Sequence, residues 1–482
     1  MNRYDNQAKR IRKEVLFRVA KAFMGDHPQE EINRIPAEMR PKDGDSSRCC
    51  IYKDREVLKY RIMAALGFGV EDEKDELTPL RDYFDRALHR AAVENTGLTV
   101  IDIACSACLS SRYLVTNACR GCLGRPCQTN CPKDAVEVVG GRAVIHPDRC
   151  VNCGLCLKAC PYNAIVRTPV PCEEVCPVNA ISKNAAGREE IDHDKCIDCG
   201  QCVRACPFAA IEERSQMIDV LKALQDGRKP VALLAPAVVG QFPATLSQIA
   251  AALEQLGFCR TEEVAVGADE TVRREAAEWQ ERIQAGAPFM TTSCCPAYVK
   301  AVNKHLPELK EFVSHTPSPM AISARMAKEA SPEKLTVFIG PCIAKRAEGL
   351  NNPDVDYVLT FEELGAIFDT AGIDLRTYPS KPIEPAAQNG GRGFPVSGGV
   401  TAAIREHLAE HAAELKPVCI NGLDSKALAR LQAAVTRGCD GNFIEVMCCE
   451  GGCMNGPGVL SNPVVASRKL AELLAEKPKT SA

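Results

Sequence analysis

Three cysteines stand within six positions in FIEVMCCEGGCMNGPG, residues 443 to 458: Cys448, Cys449 and Cys453. Thiolates are soft metal ligands and nucleophiles, and the glycines around them let backbone approach a bound group closely. They belong to a total of 27 cysteines in a chain of 482 residues. The first 25 residues are charged throughout and lack an apolar core followed by a small-residue cleavage site, so no secretory signal is expected. No run of about 18 uncharged apolar residues occurs either, and a soluble, cytoplasmic protein is the expectation. In a reducing cytosol, thiols in this number point to metal ligation or redox work rather than to disulfides. A net charge of -3 and a pI near 6.3 give no basis for nucleic-acid or membrane partners.

Sixteen of the cysteines fall between residues 105 and 206. DRCVNCGLCLKACPYNAI carries Cys150, Cys153, Cys156 and Cys160 before a proline, and DKCIDCGQCVRACPFAAI repeats the pattern as Cys196, Cys199, Cys202 and Cys206. The spacing is that of bacterial ferredoxins, in which three close thiolates hold one 4Fe-4S cluster and the fourth crosses to the partner cluster. The expected sets are Cys150, Cys153 and Cys156 with Cys206, and Cys196, Cys199 and Cys202 with Cys160. Structural zinc fits less well, because it uses separated CxxC pairs. Around the repeat lie Cys119, Cys122, Cys127 and Cys131, then Cys172 and Cys176, and before them Cys105 and Cys108. These eight suffice for two more clusters. The same crossing rule would join Cys119, Cys122 and Cys127 to Cys176, leaving Cys105, Cys108, Cys131 and Cys172; if Cys105 and Cys108 merely pack, three clusters form. Such a segment is a wire for single electrons.

The remaining chemistry needs a scaffold. KPVALLAPAV, APFMTTSCCP, KLTVFIGPC and NFIEVMCCEGGC are apolar, partly β-branched runs that end at a cysteine or proline turn, so the thiols of the last three sit at strand ends. Helical stretches such as TLSQIAAALEQLG, AYVKAVNKHL and SKALARLQAAV alternate with them and argue for α/β layers, where ligands bind beyond the carboxyl ends of strands. Cys294, Cys295, Cys342, Cys449 and Cys453 are therefore expected to converge on one buried site. Four would hold a 4Fe-4S cubane, and the fifth is left for proton or nucleophile work. RIRKEVLFRVAKAF and DREVLKYRIMAALGFG predict helices at the N-terminal end, with Cys49 and Cys50 reading as packing residues. The expected organisation is a mixed α+β and α/β multidomain chain: a helical region 1–100, a multi-cluster ferredoxin-like domain 101–215, a catalytic domain 216–470 and a flexible tail 471–482.

TSCCPAY (292 to 298), PCIAKRAE (341 to 348) and EVMCCEGGCMNGPG (445 to 458) resemble, in order, the three signature loops of the iron-only, or FeFe, hydrogenases. The resemblance spans roughly residues 105 to 465. It implies a two-lobed α/β catalytic domain and an H-cluster, a 4Fe-4S cubane joined through a cysteine sulfur to a two-iron unit with CO, cyanide and azadithiolate. By this resemblance Cys295, Cys342 and Cys449 match the cubane ligands, Cys453 the bridging thiolate and Cys294 the proton-donating cysteine. Lys345 matches the lysine that holds a cyanide, a task suited to a compact ammonium, and Glu348 matches the glutamate of the second loop. Ala235 and Pro236, in LLAPAVVG, fall on the same cofactor wall. FPVSGGVTAAIREHL resembles a glycine turn and helix near the cofactor, where Ser397, Gly398 and Gly399 would bring backbone donors to it; an ordinary capped helix start is the alternative. Cys448 stands where the family usually has a small residue and reads as a buried bystander.

The resemblance extends to a proton path through Arg282, Glu278, Ser314, Glu275 and Cys294, against which stands a solvated helix face with i, i+4 Glu-to-Arg support. Departures from the commonest family pattern are Gly340, Tyr298, Pro457 and Ala237, all beside expected ligands, where they would tune the metal without binding it. The function implied is reversible interconversion of protons and electrons with dihydrogen, with a ferredoxin or similar one-electron carrier as partner and hydrogenase maturation proteins supplying the cofactor. Two other classes remain open: a non-catalytic iron-sulfur assembly or scaffold protein, and a plain electron carrier.

Overall fold

The computed structural model of the chain describes residues 6–105, 108 and 112–475. Its N-terminal region is helical, as Gln7–Met24, Pro28–Met39, Ile51–Ala65 and Leu80–His89. Asn6 opens the first of these by accepting a hydrogen bond from the Lys9 N–H. These helices share an apolar core with the rest of the molecule, through Leu16, Val19, Ile62 and Phe84. The first helix packs on Phe361–Thr370 and on Met217–Gln225, so it lies against the part that follows the cysteine-rich segment. A buried knot of charge ties the three parts together. Arg12 reaches Glu212 at 3.0 Å, Glu362 at 2.9 Å and Glu213, while Arg346 pairs with Glu363 at 2.7 Å.

In the cysteine-rich segment short antiparallel pairs replace long elements: Tyr113–Val115 with Ile165–Arg167, Val136–Val139 with Arg142–Ile145, and Ile181–Lys183 with Glu189–Ile191. Leu98–Val100 pairs with Ile211–Glu213 and carries the chain across residue 100 into this region.

The last part is built on two parallel sheets. One orders its strands as Arg260–Glu263, Val231–Leu234, Thr336–Ile339 and Tyr357–Leu359; the other as Met290–Thr291, Phe443–Met447 and Pro417–Asn421. All residues of Val231–Leu234 and Thr336–Ile339 are buried, as parallel strands covered by helices on both faces require. The register sets Val337 beside Ala232 and Val418 beside Ile444. Every cysteine-bearing run expected to be a strand is one, and each ends at its thiol loop. The last helix, Pro463–Ala475, continues past residue 470 because Ala466 and Leu470 are buried against the core. The expected tail thus starts too early at 471; residues 476–482 lie outside those described. No helix among the described residues is long and apolar enough to cross a membrane.

Candidate metal centre

Three strand-end loops build one cavity. After Met290–Thr291 the chain presents Cys294 and Cys295, and Cys295 caps the helix Pro296–His305, whose first-turn proline loses no hydrogen bond there. After Thr336–Ile339, Gly340 and Pro341 lead to Cys342, and the Pro341 carbonyl is held by the Gly458 N–H at 2.9 Å. After Phe443–Met447 come Cys449 and Cys453, separated by Gly451 and Gly452 at φ +82° and +86°. A Cβ at Gly452 would collide with the Pro395 carbonyl oxygen, so only glycine lets this loop pass under residues 395–397.

The resulting cavity, about 100 Å³, is lined by the thiols of Cys294, Cys295, Cys342, Cys449 and Cys453, by Lys345, and by Ala235 and Pro236. Burial pushes every one of these thiols up, Cys453 to about 11. A set of thiols raised by an apolar wall becomes a set of thiolates only when a cation takes the protons' place. Among the described residues no three His, Cys, Asp or Glu side chains close in on a single metal ion. Soft donors of one kind suit iron-sulfur. The fifth thiol and the ammonium of Lys345 exceed what a cubane needs. Lys345 donates to Ser318 Oγ at 2.8 Å and Glu348 Oε2 at 2.7 Å; burial works against its charge, but Glu348 outweighs it and holds the ammonium protonated.

The five residues of the expected proton path lie together. Arg282 pairs with Glu278 at 2.5 Å, and the Ser314 hydroxyl donates to Glu278 Oε2 at 2.7 Å. Glu275 is fully buried, and its Oε1 accepts from the Ser293 N–H at 3.2 Å. Burial pushes its carboxyl up to about 7, with Ser293 and Ser314 pulling the other way, and its Oε2 has no hydrogen-bond partner. Glu278 moves in the opposite direction: its burial is outweighed by the His315 N–H, Ser314 and Arg282. Cys294 lies in the field of Glu275, and Arg282 is at the exposed end.

The accessory cysteines group differently from the expected sets. Cys156 lies in the field of Cys150, Cys153 and Cys131, and Cys127 in that of Cys122 and Cys160. Cys202 lies among Cys196, Cys199 and Cys176, while Cys206 neighbours Cys105, and Cys172 neighbours Cys206, Cys105 and Cys108. The joining of Cys150, Cys153 and Cys156 to Cys206, and of Cys196, Cys199 and Cys202 to Cys160, is therefore corrected, as is the joining of Cys119, Cys122 and Cys127 to Cys176. The crossing runs within each unit: residues 119–160 form an outer unit, and Cys105 and Cys108 with residues 172–206 an inner one. The cause is packing. The helical turn Pro126–Thr129 packs on Leu155–Ala159, and Pro171–Glu174 on Gln201–Ala205, so each motif copy pairs with the irregular set nearest to it. Four equivalent turns repeat one local geometry. The N–H groups of Ala135, Ala164, Ala180 and Ala210 donate to the sulfurs of Cys131, Cys160, Cys176 and Cys206 at 3.2 to 3.4 Å.

Two expectations around the cavity change. Ser397, Gly398 and Gly399 do not line it; Phe394 and Pro395 do. The donors at the start of the helix Gly399–Leu408 are taken by the buried Glu445, which accepts from Gly398 N at 2.6 Å and Thr401 N at 2.8 Å. Cys448 is no bystander. It lines the cavity together with Cys199 of the inner unit, and each of the two thiols lies in the field of the other. Among the departures, Gly340 accommodates the Phe338 ring, which a Cβ there would approach to 2.5 Å, and Tyr298 is buried with its hydroxyl on Thr291 Oγ1 at 2.8 Å.

A parallel-sheet domain with a cavity of thiols, reached by a cysteine of a ferredoxin-type segment, defines an iron-sulfur protein of the redox class. The sequence matches the family described as iron only hydrogenase large subunit, C-terminal domain, over residues 228–457. It also matches the LdpA Fe-S cluster-binding domain over 166–217 and the 4Fe-4S binding domain over 143–166. It is 31% identical over 418 residues to iron hydrogenase 1 of Clostridium pasteurianum, covering 73% of this chain and 70% of that protein. With the periplasmic Fe hydrogenase large subunit of Nitratidesulfovibrio vulgaris the identity is 32% over 307 residues, 51% of this chain and 72% of the relative. The cytosolic iron-sulfur assembly component 3 of Rattus norvegicus is 24% identical over 234 residues, 38% of this chain and 49% of that protein. This chain belongs to the iron-only hydrogenase family.

Proposed function

We propose that this chain is a hydrogenase, interconverting protons and electrons with dihydrogen reversibly at an H-cluster, with a ferredoxin or similar one-electron carrier as partner and maturation proteins installing the cofactor. The observation that carries this reading is the convergence of five thiols and Lys345 on one buried cavity whose wall includes Cys199 of the accessory set. Cys295, Cys342, Cys449 and Cys453 would hold the cubane, Cys453 also joining it to the two-iron unit, and Lys345 would stand against a small anionic ligand. When bound, the cofactor supplies the open metal position at which dihydrogen is split or formed.

The protein's own residues supply the rest. Phe338, Phe394 and Met320 wall the cavity with apolar surface and keep bulk water out. Cys294, the fifth thiol, holds a proton at Sγ beside the cavity. Glu275, with a carboxyl near 7, loads and releases protons at neutral pH, and the raised Cys294 thiol favours keeping the proton it receives until the site draws on it. Ser314 passes protons to Glu278, and Arg282 keeps Glu278 charged at the exposed end. The sixteen accessory cysteines would hold four 4Fe-4S clusters that bring electrons inward.

The likeness to an iron-sulfur assembly component favours a second reading, a non-catalytic scaffold. Anaerobic infrared spectroscopy of protein produced with hydrogenase maturases separates the two. Metal-bound CO and cyanide bands together with hydrogen evolution from reduced viologen support the hydrogenase, and a full complement of 4Fe-4S clusters without bands supports the scaffold. Cys294→Ala is expected to abolish turnover while leaving the bands in place; substantial retained turnover would remove Cys294 from the path.

A further inference from the structure

The two motif copies align residue for residue and present the same face, yet only one copy has something to press it against. In the inner copy that face is seated on the catalytic part. Ile197 is 1% exposed, and Arg204 donates to Asn455 Oδ1 at 2.8 Å. A Cβ at Gly200 would lie 2.7 Å from Ile343 and 2.9 Å from Pro457, and Cys199 reaches the cavity itself. The face is thus a packed joint: apolar at its centre, with a cysteine of the motif at the seam.

In the outer copy the equivalent residues are open. Val151, which corresponds to Ile197, is 57% exposed, Leu155 is 43% exposed, and Cys153, the counterpart of Cys199, is exposed. Tyr113 stands over Gly154 without covering these neighbours. Arg149 and Lys158 flank the patch, both exposed and neither in an ion pair among the described residues; the same is true of Arg120, Arg125, Lys133 and Arg142 on the same unit. Residues 112–168 hold eight Lys and Arg against three Asp and Glu, whereas residues 169–215 hold five against nine, in a chain whose net charge is -3. Unpaired basic groups gathered on one small unit of an acidic chain set up a local positive field that steers an oppositely charged partner.

We propose that the face formed by Val151, Cys153 and Leu155, ringed by Arg149 and Lys158, is the docking surface for an acidic iron-sulfur carrier protein. This rests on the reading that the chain holds 4Fe-4S clusters and passes electrons toward the cavity. The reduced carrier loses one electron, the cluster site of Cys131, Cys150, Cys153 and Cys156 gains it, and no bond or proton changes place. A small apolar centre with a charged rim suits a transient partner that must leave after each transfer, because rim charges set the encounter rate and fall off with salt.

The test mixes the cluster-loaded full chain with a reduced acidic ferredoxin carrying 4Fe-4S clusters in a stopped-flow spectrophotometer, at several salt concentrations. The readout is electron arrival in the accessory clusters, so it does not require hydrogen turnover or an H-cluster. Arg149→Glu with Lys158→Glu is expected to lower the second-order rate constant by at least about ten-fold and to flatten its salt dependence, with iron content and visible spectrum unchanged. Arg468→Glu, at an exposed position of the helix Pro463–Ala475, should leave the rate alone. An unchanged rate in the double variant overturns the proposal. So does sedimentation showing that the wild-type chain self-associates and the double variant does not, which would make a second copy the occupant. Absence of CO and cyanide bands, by contrast, would overturn the hydrogenase reading and leave this result standing.

Discussion

DRCVNCGLCLKACPYNAI and DKCIDCGQCVRACPFAAI differ in few chemical respects, but their surroundings are opposite. In the inner copy Cys196, Ile197, Asp198 and Cys202 are all buried, and Lys300 from the parallel-sheet part pairs with Asp198. In the outer copy Val151, Cys153, Leu155 and Lys158 are exposed, and Arg149 has no counter-charge among the described residues. The cluster-binding loop is therefore a self-sufficient local unit: four cysteines, a positive-φ glycine (Gly154 or Gly200) and a proline turn form it with or without a neighbour. What the neighbour decides is whether the loop's outer surface is a domain joint or free. The residues that vary between the copies record that decision. Val151 and Ile197 occupy one position, and the larger aliphatic side chain sits where it is buried; at the Leu155 and Gln201 position the order is reversed, and the exposed outer face carries the aliphatic side chain.

The comparison breaks most completely if the two units are not separate. Cys131→Ala is expected to remove about four iron atoms and one paramagnetic signal from the outer unit only, and Cys206→Ala the same from the inner unit only. Iron analysis with electron paramagnetic resonance checks this, and a signal lost from the opposite unit would restore crossing between the two motif copies. A smaller effect sharpens the contrast in burial. Ile197→Ala should cost about 2–5 kcal/mol by leaving a cavity at the joint, while Val151→Ala should stay within about 0.5 kcal/mol; anaerobic denaturation of the cluster-loaded protein reads both. The smallest effect concerns the cations. Arg204→Ala gives up its bonds to Asn455 and should cost about 1–3 kcal/mol, against a change within about 0.5 kcal/mol for Lys158→Ala. Equal costs at the two positions would show that the outer face is covered after all. Separately, Glu275→Gln, which keeps shape and removes the titrating proton, is expected to lower turnover by about 10²–10⁴ with the infrared bands intact.

Much of the site could be read in the sequence because its signals are local. Each thiol loop directly follows the apolar run that becomes its strand, as Phe443–Met447 does before Cys449, and the Glu278–Arg282 pair is one helical turn apart. What escaped was set at long range. The turn at Ser397–Gly399 looks like an anion cradle until Glu445, 47 residues beyond Gly398 and on a different element, is seen to take its donors. Cys448 looked idle because Cys199, which lines the same cavity, lies far away in the sequence, in the cysteine-rich segment. The pairing of cluster cysteines escaped because four CPxxA turns are interchangeable in sequence, and only the packing of one helical turn on another chooses between them. The role of the first hundred residues was illegible for the same reason, since Arg12 finds its carboxylates only in the finished fold.

That last contact bears on the order in which the chain is made. Arg12 is synthesised 200 residues before Glu212, and Glu362 emerges later still. Until then the first helix has neither its counter-charges nor the apolar surface of Phe361–Thr370 to cover Leu16 and Val19. The helix Gln7–Met24 is thus among the last pieces to settle, and the nascent chain must carry it exposed while the cysteine-rich segment emerges behind it. The converse holds for shortened versions. A chain begun near residue 100 would leave Glu212 and Glu213, which burial already holds above the usual carboxylate range, without Arg12, with Arg346 still beside Glu213, and is expected to be less stable than the full chain.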